Sequence, residues 1–182
     1  MLSNAITIFR TLLTLPLFVI LAFGESENRL AAVALFLAAG LLDMVDGKVA
    51  RARNEVSAFG GMMDLVGDRL LTFAAVTGLI AGGGLAPVSV VAGLILIGRD
   101  LVVASLNEAL PGKLGPRVSA FEKVKIVAAF LALTLLIAGP GLGHFADEAA
   151  SWGAGALWIA AALTCVTVVQ YWLRALAAFR AG

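Results

Sequence analysis

Six apolar runs divide this chain from end to end, at residues 5–23, 30–52, 58–81, 86–109, 120–139 and 150–177. A helix needs roughly 20 mostly apolar residues to cross the hydrocarbon of a bilayer, and each run is near that length or longer. In lipid the backbone must satisfy its own hydrogen bonds, which leaves helices and closed barrels as spanning structures. These runs are continuous rather than alternating, so they read as helices and not as barrel strands. The expected fold is an all-α integral membrane protein: a bundle of six transmembrane helices, one membrane-embedded domain over residues 1–182.

Turn chemistry falls where antiparallel helices need it. Gly82-Gly83-Gly84 with Pro87 separates the third and fourth runs, and Pro111-Gly112 with Gly115-Pro116 the fourth and fifth. Gly139-Pro140-Gly141 closes the fifth. Trp152 and the pair Tyr171-Trp172 bracket the last run as interfacial anchors would. The first run has signal-peptide features, with Ala22-Phe23-Gly24 resembling a cleavage site, but Pro16 interrupts it and five runs follow.

Charged residues make up only 14% of the chain, against about 25% in soluble domains. A net charge of +1 offers no bulk attraction to nucleic acid. Cys165 is the single cysteine, so no intrachain disulfide forms; its apolar run reads as burial in the membrane.

Lys and Arg gather in cytoplasmic loops. The N-terminus, the second and fourth connections and the C-terminus hold or adjoin Arg10, Lys48, Arg51, Arg53, Lys113, Arg117, Lys123, Lys125, Arg174 and Arg180. The opposite side has Arg29 as its one basic residue, beside Glu25, Glu27, Asp147 and Glu148. Both termini and the segment from Asp43 to Arg69 are therefore expected in the cytoplasm. His144 falls on the other side and reads as a solvated loop residue.

That segment holds the chemistry. Asp43 and Asp46 are three apart and Asp64 and Asp68 four apart, so each pair shares one helix face. A short turn around Asn54 lets the two helices run antiparallel, with the pairs facing each other at similar depth. Four half-buried carboxylates cannot all stay ionised without cations. Hard oxygen ligands with room for water and phosphate suit Mg²⁺ or Mn²⁺. Gly47, Ala50 and Gly60 flank the acids and allow a backbone or a flat ligand to approach, although Gly60 also fits plain helix contact. Arg51 is placed to meet a phosphate or a carboxylate. Acids inside a membrane usually mark a site or a pathway. A transporter would set them near the midplane, beside broken helices; these cluster at one face.

Written out, Asp43-x₂-Asp46-Gly47-x₂-Ala50-Arg51-x₈-Gly60-x₃-Asp64-x₃-Asp68 resembles the signature of the CDP-alcohol phosphotransferases at all eight fixed positions. The resemblance implies a six-helix membrane enzyme, commonly a homodimer, in a bacterial inner membrane or an equivalent one. Such enzymes attack the β-phosphorus of a CDP-linked lipid with an alcohol and release CMP. It further implies that Asp43, Asp46, Asp64 and Asp68 hold one or two divalent metals on the pyrophosphate. Gly47, Ala50 and Gly60 would give the cytidine room, Arg51 would contact its phosphates, and Asp68 would be the general base.

Three other stretches resemble the branch of that family that uses CDP-diacylglycerol and glycerol 3-phosphate. They are the start "SNAITIFR", with Asn4, Thr7 and Arg10; "GRDLVVASLNEAL"; and "FEKVKIVAAF", with Lys123 and Lys125. Ser3, Asn107, Glu122 and Ile126 depart from that branch's pattern. "GRD" also occurs in members whose acceptor is phosphatidylglycerol, the alternative acceptor. Arg10, Arg99, Arg117, Lys123 and Lys125 are the candidate ligands of the acceptor phosphate. The two lysines also fit as flanking charge, and Arg99 beside Asp100 fits an internal ion pair.

Overall fold

The computed structural model describes the backbone of residues 2–52, 58–111 and 120–180, and side-chain surroundings for 6–43, 45, 60–111 and 121–180. Within these residues the chain is helical and has no strand. The helices are α1 (Leu2–Leu12), α2 (Thr14–Phe23), α3 (Arg29–Ala52), α4 (Ala58–Ala81), α5 (Pro87–Ala109), α6 (Ala120–Ala138) and α7 (Ala146–Arg180).

The first apolar run is two helices meeting at Leu13. Pro16 explains the break, because it has no N–H to donate and its ring crowds the carbonyl of residue 12. Leu13 N–H reaches back to both Phe9 and Arg10 carbonyls, at 3.1 and 3.2 Å, and the Thr14 hydroxyl donates to the Thr11 carbonyl at 2.6 Å. On both sides of the break, α1 and α2 pack against α3 and α4.

Among the described residues, four segments are long and apolar enough to cross a membrane: Ile6–Phe23, Pro87–Ala109, Phe121–Gly141 and Gly143–Arg180. The sequence reading expects six. The two outside this set, α3 and α4, are 24 residues each and are the pair that carries the acids; Asp64, Asp68 and Arg69 interrupt the apolar run of α4, and much of the second half of α3 lies outside the described residues. At 35 residues, about 52 Å long at 1.5 Å per residue, α7 exceeds a hydrocarbon core about 30 Å thick.

Every long helix contributes to the core, which centres on Leu17, Leu21, Phe36, Val76, Leu79, Leu133, Ile137 and Leu157. Without water between helices, contact area and small residues set the packing. A Cβ on Gly153 would lie 2.8 Å from Leu136 Cγ, and one on Gly40 would lie 2.6 Å from the Phe130 ring. That ring stacks on Phe36 with centroids 4.9 Å apart. The outer surface is apolar, with Leu15, Phe23, Leu131, Ile159 and Leu173 exposed, as a lipid-facing surface requires. Cys165 is exposed on the same kind of surface. It faces outward from α7 rather than into the core.

At the end of the bundle away from the acids, Arg29 is buried against the glycine turn after α4, with Gly82 and Gly84 beside its guanidinium. The left-handed backbone of Gly83 (φ +67°) closes that turn. Helix C-termini are the negative ends of their dipoles, so a cation is well placed there. His144 lies at this end too, exposed in a short 3₁₀ turn over Gly143–Phe145.

Candidate active site

Asp43 stands on α3, and Asp64 and Asp68 stand one turn apart on α4. The antiparallel packing brings a carboxylate oxygen from each within 4.8 Å of the others. Their side chains are 33%, 49% and 55% exposed, so the cluster sits at the mouth of the bundle rather than in its core.

Arg10 reaches into this cluster from α1. Its side chain is only 1% exposed. Nη1 donates to Asp68 Oδ1 at 2.7 Å and Nη2 to Asp64 Oδ1 at 3.0 Å. Nη2 also approaches the Asp64 carbonyl at 3.3 Å, and Nη1 pairs with Asp43. The sequence reading makes Arg10 a ligand of the acceptor phosphate; the structure brings it to the carboxylates first.

Gly67 makes room for this. A Cβ there would lie 2.8 Å from Arg10 Nη2 and 3.0 Å from the Thr11 hydroxyl. Gly67 lies outside the eight-position signature. Its one sequence signal is its place between Asp64 and Asp68 on an acid-bearing helix.

Three carboxylates against one guanidinium leave excess negative charge in a partly desolvated place. Like charges at this spacing raise one another's energy unless further cations join them. Hard carboxylate oxygens that close together suit Mg²⁺ or Mn²⁺. On this donor chemistry, Asp43, Asp64 and Asp68 fit a divalent metal.

Asp43 and Asp68, with Arg10, line a cavity of ≈ 880 Å³ bounded by α1, α3, α4, α5, α6 and α7. One flank is apolar, with Leu41, Leu65, Ile126, Val127 and Leu131 on its lining. These same side chains are exposed on the outer surface, so the flank opens toward lipid. The other flank is ionic. Arg99 Nη1 donates to Asp100 Oδ1 at 2.9 Å, and its Nη2 pairs with Glu122. Lys125 Nζ lies 3.6 Å from the same Glu122 carboxylate. The Arg99 guanidinium also rests over the Tyr171 ring, 5.6 Å from its centroid.

Two of the expected phosphate ligands, Arg99 and Lys125, therefore share this wall. Lys123 is exposed and does not line the cavity; helical geometry turns it about 200° from Lys125 over two residues. Gly60 is half-buried one turn before Asp64. Asp46, Gly47, Ala50 and Arg51 belong to α3, but their surroundings lie outside the described residues, and Arg117 lies outside them altogether. Asp100, Glu122 and Tyr171 are cavity residues that the sequence reading did not place at the site. Glu122 is legible in retrospect, three residues before Lys125 and on its face.

A family model described as CDP-alcohol phosphatidyltransferase matches residues 1–178. The chain is 34% identical over 174 residues to a Rickettsia felis protein, covering 93% of this chain and 92% of that one. A Pseudomonas fluorescens protein is 33% identical over 176 residues, with 92% and 86% covered. An Escherichia coli protein is 30% identical over 171 residues, with 91% and 90% covered. All three relatives are named CDP-diacylglycerol–glycerol-3-phosphate 3-phosphatidyltransferase.

Proposed function

The chain belongs to the CDP-alcohol phosphatidyltransferase family, and from that premise we propose that it transfers the phosphatidyl group of CDP-diacylglycerol to glycerol 3-phosphate and releases CMP. The transporter reading falls with this membership. One observation carries the proposal on the structural side: carboxylates for a metal, buried cations for a phosphate and a lipid-facing apolar flank line one cavity.

Phosphoryl transfer asks for positioning and charge neutralisation more than for covalent chemistry. The apolar flank takes the acyl chains from the bilayer without lifting them into water. Gly47, Ala50 and Gly60 leave space for the cytidine, and Arg51 binds its phosphates. Arg99 and Lys125, with Arg117, hold the phosphate of the acceptor by charge-assisted hydrogen bonds. Asp68, exposed to the cavity, takes the proton from the attacking hydroxyl as the new P–O bond forms. Arg10 fixes the carboxylates of Asp64 and Asp68 relative to each other. A Mg²⁺ or Mn²⁺ ion held by Asp43, Asp64 and Asp68, with Asp46, would neutralise charge on the pyrophosphate and the departing CMP.

The rest of the reading concerns the membrane. All six apolar runs cross it, α3 and α4 included, in a bacterial inner membrane or its equivalent. The acids and both termini face the cytoplasm, where CMP and a polar acceptor are soluble. The working form is a homodimer. The basic-residue asymmetry supports the orientation, and the family resemblance supports the dimer.

The test offers purified protein labelled CDP-diacylglycerol with glycerol 3-phosphate, phosphatidylglycerol, inositol phosphate or serine, one at a time. Product with glycerol 3-phosphate alone is expected. Product with phosphatidylglycerol alone would move the protein to another acceptor within the same family.

A further inference from the structure

The ionic wall opposite the acids is arranged around one carboxylate. Glu122 pairs with Arg99 and lies 3.6 Å from Lys125 Nζ. The three side chains are 14%, 10% and 10% exposed. With Asp100 on the far side of Arg99, these four described residues carry two positive and two negative charges. The two carboxylates offset the pull of Arg99 and Lys125 on a dianion.

We propose that Glu122 is a displaceable counter-ion. It holds Arg99 and Lys125 in place before the acceptor arrives and yields them to the acceptor's phosphate, so that only a doubly charged phosphomonoester competes well for the pocket. The inference rests on the transfer to glycerol 3-phosphate proposed above.

Three features single out Glu122. Arg99 is held twice, by Asp100 through Nη1 and by Glu122 through Nη2. Release of Glu122 therefore leaves the guanidinium still held by Asp100, with Nη2 freed for the acceptor's phosphate. Glu122 also sits in the first turn of α6, where the helix dipole favours an anion; a phosphate that takes the place of the carboxylate gains the same field. Finally, carboxylate and phosphate oxygens make the same kind of charge-assisted bond to guanidinium and ammonium. The exchange is then decided by charge: a dianion outbids the single negative charge of Glu122, and a phosphodiester of equal charge does not.

The variant Glu122→Gln keeps the shape and removes the charge. Its KM for glycerol 3-phosphate is expected to fall roughly threefold or more, with KM for CDP-diacylglycerol and kcat little changed. Inorganic phosphate should inhibit it at lower concentration. A readout without turnover is protection of the purified protein against heat by inorganic phosphate, with half-protection at lower phosphate in Glu122→Gln than in the parent. Glu122→Asp, which retracts the carboxylate, should move in the same direction by less. A raised acceptor KM, or phosphate protection weakened or unchanged in both variants, would show that Glu122 only braces the cations and would overturn the proposal. Failure of the parent protein to use glycerol 3-phosphate would count against the acceptor instead, and the phosphate-protection comparison would still decide the role of Glu122.

Discussion

Arg10 Nη1 lies 2.7 Å from Asp68 Oδ1, so a fully buried cation holds a carboxylate that faces the cavity. Asp68→Asn keeps the size of that side chain and removes its basicity. Transfer is expected to fall by about 10²–10⁴-fold, while CDP-diacylglycerol still binds. Single-turnover release of CMP measures it, and a rate near that of the parent would remove Asp68 from the role of base.

Asp64→Asn tests the metal. The variant should insert and fold, yet require far more Mn²⁺ for half-maximal turnover or show no turnover at all. Mn²⁺ binding followed by electron paramagnetic resonance gives a second reading independent of catalysis. Parent-like affinity would exclude Asp64 as a ligand.

Gly67→Ala should act through Arg10. The added methyl would lie 2.8 Å from Nη2, and the guanidinium must move. A displacement of about 1 Å near reacting groups costs on the order of 10²-fold in rate, so kcat should drop much more than thermal stability does. Gly61→Ala is the control, because a Cβ there meets nothing within 4 Å.

The two lysines of α6 should separate cleanly. Lys125→Ala is expected to raise KM for glycerol 3-phosphate much more than KM for CDP-diacylglycerol. Lys123→Ala should change either constant little, because that side chain points away from the cavity. Equal effects of the two substitutions would count against Lys125 as a phosphate ligand.

Orientation is checked by labelling. Cys165 is free and exposed, so it is first replaced by serine. Gly115→Cys should then react with a membrane-impermeant thiol reagent only from the cytoplasmic side, and His144→Cys only from the other. The reverse pattern would invert the proposed topology.

Much of this was legible in the sequence, for identifiable reasons. Helix existence follows from apolar length, and the pairing of Asp64 with Asp68 follows from a spacing of four. The break at Leu13 was less legible: Pro16 is plain, but its effect lies upstream, at the carbonyl it crowds. The place of Arg10 was not legible, because it depends on how α1 crosses α4 and on the missing side chain of Gly67. Lys123 and Lys125 look equivalent in a basic cluster, and only the rotation of α6 against α3 and α5 tells them apart. Glu122 read as a departure from a pattern and proved to be the contact that joins Arg99 to Lys125.

The glycine contacts of Gly78, Gly82, Gly93 and Gly153, together with buried Leu21, Leu79 and Ile137, lie toward the end of the bundle where Arg29 is buried. The cavity and its charges occupy the other end. Much of the close packing is thus set apart from the chemistry along the length of the bundle. Residues toward one end answer for whether the bundle assembles, and those toward the other for what it transfers. A lineage of such proteins is free to exchange one alcohol for another by editing the cavity end, while the far half goes on folding as before.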